Sequence, residues 1–249
     1  MKSLIVSALA VLAAGSIASL AFAQSKQHHF VLVPGAFADA SSWKKVSEIL
    51  QAKGYKVTTV KAPLTSLADD VAATKAAMNA VDGPVVLVGH SWGGVVIGEA
   101  GSDAKVKSLV YVSAFAPDKG ETLGALVKDL PPADGTKAIR PNDKGQLSLD
   151  LEAFPSAFAA DLPQAEAQAL AKRQIPFNPG GFASPISVAA WHEKPSVYVV
   201  TTEDKMISPG AQRFFAERMK ARTISIQASH AGLISQAEAV AKAIEEAAS

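Results

Sequence analysis

Val85-Val86-Leu87-Val88-Gly89-His90-Ser91-Trp92-Gly93-Gly94 decides how this chain folds. Four consecutive apolar residues predict a strand covered on both faces, the mark of a central parallel strand. Gly89-His90-Ser91-Trp92-Gly93 follows at once as G-x-S-x-G, and a helix is predicted from Ser91 to about Asp103. That strand–turn–helix setting is what a nucleophile elbow requires. The serine at the tip occupies a strained backbone conformation, so the residues two before and two after it must be small. The helix N-terminus behind it favours developing negative charge. A dinucleotide-binding turn would need G-x-G-x-x-G and an acid at the end of the next strand. The glycines here are spaced differently, and the next strand ends in Ser113.

Outward from the elbow, strand and helix patterns alternate. On the N-terminal side come a strand His29 to Val33, a helix Ser41 to Lys53 stopped by Gly54, a β-branched strand Tyr55 to Val60 and a helix Leu67 to Val81. On the C-terminal side a strand Leu109 to Val112 ends at Ala116-Pro117-Asp118. From Asp118 to Pro195 the chain turns rich in Pro, Gly, Asp and Ala. It offers no good strand and one clear helix, Pro163 to Arg173, so it reads as an inserted, mostly helical cap. The alternation resumes with a strand Val197 to Thr201, a helix Pro209 to Lys220, a strand Thr223 to Ala228 and a closing helix Gln236 to Ala248. Such alternation predicts an α/β protein with a mostly parallel sheet and helices on both faces.

The first 23 residues carry a different message. Lys2, an uncharged apolar run from Leu4 to Leu20 and the small-x-small ending Ala21-Phe22-Ala23 read as a secretory signal peptide cut before Gln24. Residues 24–249 are then expected to form a single exported domain, periplasmic or secreted. No later stretch is long and apolar enough for a transmembrane helix, so no membrane association is expected after cleavage. Loss of Lys2 turns 24 basic and 23 acidic residues into 23 of each. A balanced charge gives no general attraction to nucleic acid or anionic lipid. The absence of cysteine excludes disulfides and any Cys-ligated metal site.

A serine hydroxyl needs a base, and the base needs an acid to orient it. Of five histidines, His28 and His29 precede the first strand, His90 lies inside the elbow with its side chain expected to point away from Ser91, and His192 ends the cap. His230 stands on the loop between the last strand and the final helix, where the chain order Ser, acid, His puts the base. Asp204, after the strand Val197 to Thr201, is the acid candidate in that order. Asp118 competes with it, because the acid is also found after the strand that follows the elbow helix. Two backbone N–H donors must face the oxyanion. Trp92 supplies one. Pro34 has no N–H, so Ala36, then Phe37, is the candidate for the other.

These residues together resemble the α/β-hydrolase superfamily, and within it the branch of methyl-salicylate-type esterases, hydroxynitrile lyases and their bacterial relatives. His29 to Ala36, the elbow, Ala114 to Asp118, Thr202 to Lys205 and Ser229-His230 carry the resemblance. It implies the α/β-hydrolase fold, a Ser91–Asp204–His230 triad, an oxyanion hole from Ala36 and Trp92, a small-molecule carboxylic ester as substrate and no cofactor or metal. Phe37, Trp92, Phe115, Phe154, Phe158, Phe177, Phe182 and Trp191 are candidates for an apolar substrate wall, with Phe37, Phe115 and Trp191 as the substrate-binding candidates. One departure is Pro34-Gly35, where the branch commonly has His-Gly. The lyases of the branch use a pocket lysine and a threonine near the oxyanion loop; that loop has no threonine here. A lactonase, a thioesterase, a lyase or a catalytically silent ligand-binding protein are the alternative readings.

Overall fold

A computed structural model describes residues 28–248. The expected signal peptide lies outside the described residues. The main sheet is built from β1 (His29–Val33), β2 (Lys56–Thr59), β3 (Val85–His90), β4 (Val106–Val112), β7 (Ser196–Thr201) and β8 (Arg222–Ile226). Its order is β2-β1-β3-β4-β7-β8 and every pairing is parallel. β3 is central and fully buried. It runs two residues past the apolar stretch, because Gly89 and His90 stay in register with Tyr111 and Val112 of β4.

Alternation along the buried strands splits the core into two layers. Phe30, Leu32, Val86, Val88, Val110 and Val112 point to one face. There they meet α1 (Lys44–Ala52), α9 (Gly232–Ser235) and α10 (Ala237–Glu246) through Val46, Leu50, Leu233, Val240 and Ile244. Val31, Val33, Val85, Leu87 and Tyr111 point to the other face. Here they meet α2 (Leu67–Asn79), α3 (Trp92–Ala100), α8 (Pro209–Arg218) and the underside of the cap. Ser66 caps α2 by accepting the Asp69 N–H at 3.1 Å, and Ser208 caps α8 by accepting that of Ala211 at 3.3 Å.

The cap carries α4 (Leu123–Asp129), α5 (Phe154–Phe158), α6 (Gln164–Ala171) and α7 (Gly180–Ala183). It also contains what the sequence did not reveal, a hairpin of β5 (Ile139–Pro141) and β6 (Leu147–Leu149). The turn is closed by Asn142 and Gly145, the latter at φ 72°, a left-handed conformation that costs glycine little. Strands of three residues are too short to show alternation.

Candidate active site

All candidate chemistry gathers at the C-terminal ends of the parallel strands, where open α/β sheets bind ligands. Ser91 sits at the tip after β3 with φ 54° and ψ −119°. A left-handed non-glycine residue costs about 1–3 kcal/mol and persists only where its surroundings impose it. The imposing contacts are visible. The Ser91 N–H donates to Val112 at 3.2 Å, and the Ser91 carbonyl accepts from Gly94 at 3.0 Å and from Phe115 at 3.2 Å. A Cβ on Gly89 would stand 2.4 Å from the Gly93 carbonyl oxygen, and one on Gly93 would stand 2.6 Å from that of Val33. Only glycine fits either place.

His230 follows β8 and Asp204 follows β7. The two meet with Nδ1 2.7 Å from Oδ2, at 1% and 5% exposure. Asp204 is surrounded by donors. Its Oδ1 accepts the N–H groups of Met206 and Ile207 at 2.7 and 3.0 Å. Its Oδ2 accepts from Thr201 Oγ1 at 3.0 Å and Gln212 Nε2 at 2.9 Å as well as from His230. An oxygen that already accepts from two other groups leaves Nδ1 the role of donor, and Nε2 then keeps its lone pair. Asp118 is engaged elsewhere: its carboxylate lies 2.9 Å from His192 Nε2 and 3.8 Å from the Arg218 guanidinium.

His90, inside the elbow, has a partner of its own. Its Nε2 donates to the His230 carbonyl at 2.9 Å, tying the elbow to the loop of the candidate base. The loop after β1 closes on the elbow from another side: a Cβ on Gly35 would stand 2.8 Å from Ser91 Cβ. Ala36, Phe37, Ser91 and Trp92 line one cavity of about 370 Å³. Phe37 is held at φ 64°. Trp92 is the first residue of α3, where helix geometry leaves backbone N–H groups without an intrahelical acceptor.

The Trp92 indole is anchored by Asp70 of α2. Its Nε1 donates to Asp70 Oδ2 at 2.8 Å, and the Leu64 N–H donates to Oδ1 at 2.8 Å. Asp70 has no exposed surface. Burial pushes its carboxyl above the usual aspartate value, against the pull of these two bonds. Sequence reading missed Asp70, because an acid in the first turn of a helix reads as a capping charge.

Phe115 and Phe182 line the same cavity, joined by Leu123, Val127, Leu130 and Pro131 from the cap and by Met206 and Ile207 beside Asp204. Among the described residues, no Asp, Glu, Lys, Arg or His lines its wall. Trp191 requires a correction, since it is not on that wall. Its Nε1 donates to the Pro117 carbonyl at 3.2 Å, its ring stacks on His192, and Arg218 lies 5.7 Å from the ring centroid. It packs the place where the cap returns to the sheet. Phe177 backs Trp92 at 5.0 Å and Phe158 backs His230 at 4.7 Å, so both support the site from behind.

Residues 30–243 match the alpha/beta hydrolase family. The chain belongs to that family. Among curated relatives, it is 26% identical to polyneuridine aldehyde esterase of Rauvolfia serpentina, over 88% of this chain and 95% of that one. Methylesterase 7 of Arabidopsis thaliana is 28% identical, over 76% of this chain and 84% of the relative. Among solved structures, a pyrethroid hydrolase from Sphingobium faniae JZ-2 superposes with a TM-score of 0.75 at 23% identity, covering 89% of this chain and 97% of that one. That likeness concerns the fold. Within the family, the resemblance to the esterase branch spans most of the α/β-hydrolase domain.

Proposed function

We propose that this protein is a serine hydrolase of small or medium uncharged carboxylic esters, acting through an acyl-enzyme. The reading is carried by the buried 2.7 Å pairing of His230 with Asp204, on the loops that flank an elbow serine open to an uncharged cavity. Ser91 Oγ attacks the ester carbonyl carbon and gives its proton to His230 Nε2. The oxyanion is held by the N–H groups of Ala36 and Trp92. When the C–O bond breaks, the alcohol leaves with the proton from His230. Water then attacks the acyl-enzyme, passing a proton to His230 that returns to Ser91 as the acid departs. Asp204 holds the imidazole in the tautomer this cycle needs. The relatives' names, esterase and methylesterase, support the same class. Among the described residues, the cavity wall has no lysine, which the lyase reading requires. A volume of about 370 Å³ lies in the small-molecule range.

Export belongs to the proposal too, supported by the leader-like first 23 residues. It is checked by the N-terminal mass of the protein recovered outside the cytoplasm, expected to begin at Gln24. The chemistry is checked with p-nitrophenyl acetate and a fluorophosphonate. Wild type should turn over the ester and be labelled on Ser91, and Ser91→Ala should do neither. Normal turnover by folded Ser91→Ala would end the acyl-enzyme reading. A wild type that neither turns over nor labels would favour ligand binding without catalysis.

A further inference from the structure

The sequence presents the cap as a wall for substrate, but its contacts with the His230 loop give it a second task. Asp161 lies in the cap, between α5 and α6. Its Oδ2 accepts the Ser229 N–H at 3.0 Å and the Ser235 hydroxyl at 2.6 Å, and its Oδ1 is bonded by the Ser229 hydroxyl. Ser229 directly precedes His230, and Ser235 closes α9 just beyond it. The cap backbone holds the other side: the Phe158 carbonyl accepts the Ala231 N–H at 3.0 Å and lies 3.1 Å from Ser229 Oγ. The backbone N–H groups of both neighbours of His230, Ser229 and Ala231, therefore donate into the cap. The Phe158 ring stands edge-on to the imidazole, and Phe154 stacks on Phe158 at 4.8 Å.

A base must be held to within about 0.5 Å of its working geometry. Asp204 fixes one atom of the imidazole, Nδ1. The direction of Nε2 then depends on where the backbone on either side of residue 230 sits. Charge-assisted bonds to Asp161 are the strongest polar contacts on that backbone. Burial raises the Asp161 carboxyl, but the bonds from Ser229 and Ser235 outweigh it and hold it below the usual aspartate value, so it stays an anionic acceptor.

We propose that Asp161 is a positioning residue for His230: with the Phe158 carbonyl, it sets the backbone on both sides of the imidazole and so aims Nε2. Seating the cap and aligning the base are then one event. The inference rests on the acyl-enzyme reading of the site.

The test follows the Nδ1 proton of His230 by NMR of histidine-labelled protein, together with steady-state kinetics on p-nitrophenyl acetate. In Asp161→Ala, exchange of that proton with water should be at least about tenfold faster, and kcat should fall roughly ten- to a hundred-fold with KM within about twofold. Asp161→Asn, which keeps one acceptor oxygen, should lie between. If Asp161→Ala does not fold, Asp161→Asn and Ser235→Ala decide the matter in the same way. Unchanged exchange, or unchanged kcat in an active enzyme, overturns the proposal. Failure of the acyl-enzyme reading would look different: it would show in the wild type, as turnover that survives Ser91→Ala or as no turnover at all. In either case the exchange measurement alone decides.

Discussion

His90 and His230 lie ring against ring, with centroids 4.6 Å apart, and His90 Nε2 donates to the His230 carbonyl. This geometry requires a neutral His90. Its other nitrogen, Nδ1, is buried and has no partner among the described residues, so a second proton there would be stranded. Burial, and secondarily the nearness of His230, hold its pKa well below the ordinary histidine value of about 6.5. As pH falls below that value the unfolded chain takes up a proton that the folded protein refuses. Stability is therefore full above it and declines below it, by up to about 1.4 kcal/mol per pH unit for one such group. His29, also lowered by burial and by two lysines, adds in the same direction. Tm should drop as pH is taken from about 7.5 to 5.5, and His90→Gln, which keeps a donor for the carbonyl, should drop less steeply. Parallel Tm curves for the two proteins would refute the assignment.

The acid assignment separates two aspartates by what surrounds them. Asp204 receives five hydrogen bonds, including one from His230, whereas Asp118 is spent on His192 and the Arg218 region. An amide at position 204 would turn an NH2 toward groups that are all donors, and would leave the imidazole free to adopt the wrong tautomer. We expect Asp204→Asn to lower kcat on the order of 10⁴-fold while the circular dichroism spectrum is retained. Asp118→Asn should stay within about threefold of wild type, since it touches no reacting group. The reverse pattern in a side-by-side ester assay would move the acid to Asp118.

Much of this site is written in local sequence, and what is not has a physical reason. The elbow is legible because a buried strand, a turn and a helix each leave a periodic or compositional trace within ten residues. Asp204 and His230 are legible because each follows a β-branched run. The cap hairpin is not, because its strands are three residues long. Trp191 was misplaced because an aromatic near a site fits core packing as well as a pocket wall, and sequence does not say which. Asp161 stays hidden for another reason: its partner Ser229 is 68 positions away, and an acid in a polar turn looks solvated until the fold brings the two together.

Asp70 yields a prediction about the wall of the cavity rather than about its chemistry. It is buried, and both of its oxygens face donors, Trp92 Nε1 and the Leu64 N–H. Asp70→Asn must set its NH2 against one of them. A buried donor left without an acceptor costs about 1–3 kcal/mol. The unfolding free energy from urea titration should fall by that amount, and Trp92 emission should change with it. Substitution of an exposed acid such as Glu193 should stay within about 0.5 kcal/mol. An Asp70→Asn protein as stable as wild type would show that the Asp70–Trp92 bond contributes nothing net.

If the proposed ester hydrolysis takes place in this cavity, the uncharged wall also sets which esters can enter. Among the described residues on the wall, Ser91, Thr136 and Ser208 have side-chain hydroxyls, and no side chain there carries a charge. A substrate with a second, ionised carboxylate would have to shed its water with no cation to replace it, at a cost of several kcal/mol. A neutral ester of the same size has no such penalty. The charged one should therefore show a kcat/KM lower by roughly 10²-fold or more, 1.4 kcal/mol corresponding to tenfold. The same argument applies to the product. Hydrolysis leaves a carboxylic acid in an apolar chamber, and its ionisation favours departure to water, so added product should inhibit weakly at neutral pH. A matched pair, methyl 4-carbamoylbenzoate and its 4-carboxylate analogue, makes the comparison at nearly constant size and shape. Placing a cation on the wall with Leu130→Arg should narrow the gap between the two by supplying the missing partner. Equal kcat/KM for the pair in wild type would mean that the reacting ester does not sit in this cavity.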